Sequence, residues 1–111
     1  TVRTVAVVGG SGDSLFDAVR ASGADVYLTA DLRHHPASEQ RERAEHGAAS
    51  TGTPFLVDVA HWASEWPWLE VAARDLRADL EALGATVDVQ VSSRRTDPWA
   101  ARIASNPTPS E

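Results

Sequence analysis

The 111-residue sequence contains no cysteine. That absence excludes disulfides, thiolate metal sites and a cysteine nucleophile. Lysine is missing as well, so all ten basic residues are arginine. The Walker phosphate loop needs a lysine and is therefore ruled out. Positive charge is short overall: 16 acidic residues leave a net charge of −6. A nucleic-acid or anionic-membrane surface would show a basic patch, so neither kind of partner is expected. No apolar run approaches the length of a membrane span, and no signal-peptide pattern opens the chain. A cytoplasmic location is the expectation. The chain opens on Thr1 with strand-like sequence close behind, which suggests a piece of a longer protein.

What remains is ordinary for one globular domain: 42% hydrophobic and 23% charged residues, enough for a modest core. Thr4–Val8 is a short apolar run rich in β-branched residues and reads as a buried strand. A glycine-rich stretch, Gly9–Ser14, follows. It predicts a tight turn, with Asp13 or Ser14 capping a helix that turns Leu15, Phe16, Ala18 and Val19 inward. Strand, glycine-rich turn and helix start make Gly10, Ser11 and Gly12 candidates for binding an anionic substrate group. The plainer alternative is a tight strand-to-helix turn.

Asp25–Thr29 reads as a second buried strand. The connection Ala30–His35 is dense in ionisable groups, and loops after strands are where α/β proteins place ligands. Asp31, Arg33, His34 and His35 are thus candidates for a site wall. Pro36–His46 predicts a polar surface helix with Pro36 in its first position. Pro54–Val59 predicts the third strand, and Ser64–Leu83 the longest helix, with its start near Glu65 because Pro67 suits only a first turn. In that helix Leu69, Ala72, Ala73, Leu76, Leu80 and Leu83 recur at helical spacing. Thr86–Val91 alternates with Val87, Val89 and Val91 on one face and predicts a fourth, edge strand. Trp99 is the one anchor of the polar segment that follows. Residues 100–111 have the composition of a flexible tail, leaving 1–99 as the ordered unit.

The stretch Val57–Pro67, VDVAHWASEWP, joins the third strand to the longest helix. A turn from strand to helix here puts His61 at the strand's C-terminal end and Glu65, four positions on, in the helix's first turn, so that an imidazole and a carboxylate point into one crevice. Together they suit Zn, Fe, Ni or Mn. Two ligands alone are not a site. The alternative is that His61 packs on a neighbouring tryptophan and Glu65 only favours a helix N-terminus. Trp62, Trp66 and Trp68 lie within seven residues here and could wall a pocket or form a core or subunit contact.

The order of these pieces resembles the C-terminal half of the NIF-three-like proteins, also called GTP cyclohydrolase 1 type 2 homologues or dinuclear-metal-centre hexameric proteins. The resemblance runs from VVGGSGDSLFDAVRASGADVYLTADLRHHPA through VDVAHWASEWP to TDPW, about residues 4–99. It implies one α/β lobe, a small mixed sheet of about four strands with helices, from a two-lobed protein with two divalent metal ions between the lobes. His61 and Glu65 match the family's H-x-x-x-E ligands. Thr29 to His35 match its T-G-D-x-x-x-H stretch, with Ala30 in place of the glycine; in the metal-assisted hydrolysis this implies, Asp31 and His35 are the candidates to orient the water or to act as general base and acid. The remaining ligands would come from an N-terminal lobe upstream of Thr1. The resemblance also implies a homohexamer. Two further readings are a ring-forming interaction or metal-binding protein without turnover, and a plain nucleotide-binding module.

Overall fold

The computed structural model describes residues 1–48, 51–99 and 101. Strand β1 is Val5–Ser11, β2 is Val26–Ala30 and β3 is Phe55–Val59. They form a parallel sheet in the order β1-β2-β3. A 3₁₀ turn (Asp13–Leu15) leads into helix α1 (Phe16–Ser22); α2 is His34–His46 and α3 is His61–Ala82. The chain is α/β, as the sequence predicts.

The three strands form where β-branched and apolar residues run together, because such side chains fit a pleated, buried surface. Ala6, Tyr27 and Leu56 share one register row and point towards α1. There Phe16, Val19, Ala24 and Tyr27 make the buried cluster, with Ala6, Val8, Leu32 and Leu56 packed against it. Phe16 meets Tyr27 edge to face at 5.8 Å between ring centroids. Tyr27 is fully buried, so its hydroxyl needs a partner; it donates to the Gly12 carbonyl at 2.9 Å. The neighbouring rows carry Val5, Val7, Phe55 and Val57, which stay 40–66% exposed.

Several expectations need correction. The sheet has three strands and is wholly parallel, where a mixed sheet of about four is expected. Thr86–Val91 forms no strand among the described residues. Helix α3 is about 33 Å long at 1.5 Å per residue, which carries the chain away from the sheet edges. The returning segment lies along α3 instead: Arg77 donates to the Val89 carbonyl at 2.5 Å, and the Trp66 indole N–H to that of Ser92 at 2.8 Å. Of the predicted inner face of α3 only Ala73 is buried, while Leu69, Leu76 and Leu83 are exposed. Of the residues expected to face inward here, Phe16 and Val19 of α1 are buried, but Ala18 of α1 and Leu15 of the 3₁₀ turn are not. Trp99 is 66% exposed, not packed as an anchor. The predicted tail lies outside the described residues apart from Ala101.

The glycine-rich stretch is also not a simple turn. β1 runs on through Gly9, Gly10 and Ser11. Val7 opposes Leu28 and Ser11 opposes Ala30, so four steps along β1 match two along β2. The surplus forms a bulge, which bends a strand and re-aims what it carries. Gly10 sits in it at φ 73°, a left-handed value that glycine adopts without strain.

Helices α2 and α3 begin earlier than predicted. α2 starts at His34, two residues before Pro36. α3 starts at His61, where Ser64 N–H already reaches the Ala60 carbonyl at 3.0 Å and the Ser64 hydroxyl donates to the His61 carbonyl at 2.7 Å. Pro67 is therefore the seventh residue of the helix and leaves the Ala63 carbonyl without its N–H partner. Pro67→Ala is expected to stabilise the fold by about 2 kcal/mol, the helix-interior penalty of proline less the unfolded-chain entropy that alanine restores. Urea unfolding checks it. A lower midpoint would mean that the ring is needed to hold its tryptophan neighbours.

Candidate metal-binding site

Three segments converge at the carboxyl ends of the strands: the β1 bulge, the loop after β2, and the first turns of α3. Open parallel sheets present ligands at this end. His61 and Glu65 are one helical turn apart, so their side chains share a face of α3. Nε2 of His61 lies 3.1 Å from Oε1 of Glu65. On its other side, Nδ1 of His61 is 2.6 Å from Oδ2 of Asp31. The Asp31 hydrogen bond is the main reason the imidazole titrates above its ordinary range; the Glu65 charge adds to it and desolvation opposes it.

Asp31 reaches His61 from an unusual backbone conformation. Its φ is 54°, the one positive value among the described non-glycine residues. Such a conformation costs energy and persists where the surroundings impose it.

The floor of the site is Gly10. A Cβ built there would lie 2.5 Å from Oε1 of Glu65 and 3.3 Å from Nε2 of His61. The space against these two donor atoms exists only because residue 10 has no side chain. Ser64 fixes the distance: its hydroxyl accepts the Gly10 N–H at 2.9 Å while donating to the His61 carbonyl. Sequence reasoning missed Ser64, and its spacing from His61 offers no signal until the bulge is known.

Imidazole and carboxylate suit a divalent ion, and two atoms each about 2.1 Å from one tetrahedral or octahedral ion stand about 2.9–3.4 Å apart. The observed 3.1 Å fits, and the residues fit a metal as one side of its site. Among the described residues no group of three or more His, Cys, Asp or Glu is set to hold an ion. In this arrangement Asp31 takes the place of the carboxylate that commonly orients a ligating histidine through its other ring nitrogen.

The other candidates are placed differently. His35 is exposed in the first turn of α2 with its ring edge-on to His34 at 5.3 Å, and no hydrogen bond joins it to Asp31, His61 or Glu65. Ser11 is exposed. The N–H groups of Gly10 and Gly12 are already used, by the Ser64 hydroxyl and by the Ala30 carbonyl at 3.2 Å. Neither is free to receive an anion. Gly12 is buried against Tyr27 and Thr29, with no room for a Cβ. Beyond Glu65 a cavity of about 680 Å³ opens, lined by Gly9, Ser64, Trp62, Trp66, Trp68 and Leu69. Trp62 and Trp66 stack on each other at 5.5 Å, and Trp68 is 66% exposed.

The sequence model of the Duf34/NIF3 (NGG1p interacting factor 3) family matches residues 1–98. The chain belongs to that family. A Streptomyces coelicolor relative named GTP cyclohydrolase 1 type 2 homolog is 56% identical over 110 residues, covering 99% of this chain and 36% of its own length. A Mycobacterium tuberculosis relative of the same name is 50% identical over 98 residues, 88% of this chain and 23% of its own. Among solved structures, a Bacillus cereus protein related to NIF3 superposes with a TM-score of 0.72 at 29% identity, over 91% of this chain and 25% of that one. A Staphylococcus aureus protein gives 0.70 at 27%, over 91% and 30%. The chain thus spans about a quarter to a third of the length of these Duf34/NIF3 relatives. Among the described residues no helix is long and apolar enough to cross a membrane.

Proposed function

We propose that this chain is the C-terminal lobe of a two-lobed, dinuclear-metal, hydrolase-like protein, and that His61 and Glu65 are this lobe's metal ligands. The reading rests on one observation above others: the two donor atoms stand 3.1 Å apart over a glycine that leaves them room. Further ligands come from an N-terminal lobe upstream of Thr1. When bound, divalent ions such as Zn, Fe, Mn or Ni, two in the intact protein, would supply an activated water and a Lewis acid for a substrate oxygen.

This chain's own residues do the rest. Asp31 holds the His61 ring so that Nε2 faces the cleft. Glu65 adds a carboxylate beside it. His35, exposed in the segment that follows Asp31, is the candidate to carry a proton to or from substrate. The tryptophan-lined cavity beside Glu65 takes the organic part of a substrate. The name carried by the curated relatives favours a cyclohydrolase-type reaction, and the proposed metal pair equally suits phosphoester hydrolysis. The intact protein is read as a cytoplasmic homohexamer.

A second reading is supported by the exposed Val5, Val7, Phe55, Val57 and Trp68. Contiguous apolar surface marks interfaces, and a ring-forming metal-binding protein without turnover would have them. Metal analysis of the full-length polypeptide, with hydrolysis assays on cyclic-amide and phosphate substrates, separates the two. The hydrolase reading expects about two ions per chain and turnover in one substrate class. Metal without turnover of either class favours the interaction protein, and a metal-free protein removes both.

A further inference from the structure

We infer that Asp13 and Asp58 are positioning residues that clamp the loop after β2 and so set the Asp31 carboxylate on His61. The argument begins with the cost of the Asp31 conformation. A left-handed non-glycine residue relaxes unless its neighbours are fixed on both sides. Before it, the Ala30 carbonyl receives the Gly12 N–H at 3.2 Å, and Ala30 is fully buried. After it, the Leu32 N–H donates to Oδ1 of Asp58 at 3.2 Å. The next N–H, that of Arg33, donates to Asp13 at 3.2 Å and 3.4 Å to its two oxygens. Asp58 stands on β3 and Asp13 in the 3₁₀ turn after β1.

The loop is therefore tied to all three strand ends. The Asp13 side chain is only 10% exposed and also accepts the Arg33 Nε–H. A carboxylate at that depth is held in one place by its partners. Its donors include a backbone amide, and that bond fixes the loop whatever side chain residue 33 carries. With the backbone tied on both sides of it, the Asp31 carboxylate meets Nδ1 of His61 at 2.6 Å. The assigned role is geometric: what matters at position 58 is an acceptor oxygen at the right distance, not a negative charge.

That distinction gives the test. Asn at position 58 keeps the acceptor and loses the charge. Glu keeps the charge and moves the acceptor by one methylene. The full-length polypeptide is prepared metal-free with Asp58→Asn, Asp58→Glu, Asp58→Ala and Arg33→Ala, and the fold is checked by circular dichroism. The first readout is the hydrogen-bonded Nδ1–H proton of His61 by NMR. It should persist in Asp58→Asn and Arg33→Ala, and be lost or shifted upfield in Asp58→Ala and Asp58→Glu. The second readout is zinc affinity, which rests on the metal reading proposed above. It should fall about 10- to 100-fold in the same two variants, the range seen when an outer-shell partner of a metal ligand is removed. Should Asp58→Ala not fold, the Asn and Glu pair still decides. An unaltered Nδ1–H in Asp58→Glu, or its loss in Asp58→Asn, overturns the clamp. If the unsubstituted protein binds no zinc but the proton signals sort as stated, the clamp stands and the metal reading falls.

Discussion

His61→Ala in the full-length polypeptide is expected to lower divalent-metal affinity by more than about a hundredfold, beyond the range for loss of an outer-shell partner, and to reduce the bound metal by one ion per chain. The reason is the arrangement at the start of α3. His61 presents Nε2 to the site because Nδ1 is occupied by Asp31, and Oε1 of Glu65 stands 3.1 Å from that free nitrogen. Alanine leaves Glu65 as the single ligand from this lobe, which is too little to hold its side of the site. The fold should survive, because His61 is 45% exposed and belongs to no buried cluster. His34→Ala is the matched control. His34 lies on α2 with its ring edge-on to His35 and is exposed, so the metal content should not change. Inductively coupled plasma analysis and competition with a chelating dye measure both. Unaltered stoichiometry in His61→Ala would defeat the ligand assignment, and equal losses in the two variants would point to a general disturbance.

How much of this was legible in the sequence depends on the range of the interaction. The three strands are written in β-branched runs and begin within a residue of their expected starts, at Val5, Val26 and Phe55. His61 and Glu65 are legible as a pair because a strand-to-helix turn aims both into one crevice; that they share one face of α3 is seen only in the fold, where the helix begins at His61. Asp31 enters as a residue of a polar loop, with no hint of which ring nitrogen it meets. The bulge is not legible: Gly9 and Gly10 read as a turn, since nothing local says that β1 continues past them with two residues to spare. The start of α3 was misplaced by a sound rule. Pro67 prefers a first turn, but Ala60 and Ser64 close an earlier turn around His61, and the helix tolerates one missing bond. Thr86–Val91 has the alternation of a strand, yet alternation cannot say whether a neighbouring strand is within reach. Asp13 and Asp58 carry no motif. Their value appears only when the folded chain sets their oxygens against the amides of Arg33 and Leu32.

Gly10→Ala joins the bulge to the chemistry and is expected to weaken metal binding nearly as much as loss of a ligand. Two costs arise together and can be told apart. The first is backbone strain: an L-residue at φ 73° is penalised by about 1–2 kcal/mol. The second is steric and local to the site. The new methyl would meet Oε1 of Glu65 at 2.5 Å and Nε2 of His61 at 3.3 Å. The Glu65 carboxylate is the end of a flexible side chain, so it will swing aside, and the paired donors then separate. Gly23 isolates the first cost. Its φ is 70°, and a Cβ there meets nothing within 4 Å. Gly23→Ala and Gly10→Ala should therefore lose similar stability in urea unfolding, while only Gly10→Ala loses metal, by about a hundredfold or more on the scale of ligand displacement. Ser64→Ala should fall between them, since it unties the Gly10 N–H from α3 but leaves the space open. If Gly10→Ala bound metal like the unsubstituted protein, the crevice over residue 10 would not be where the ion sits, and the 3.1 Å pairing of His61 with Glu65 would be an ordinary helix-surface contact.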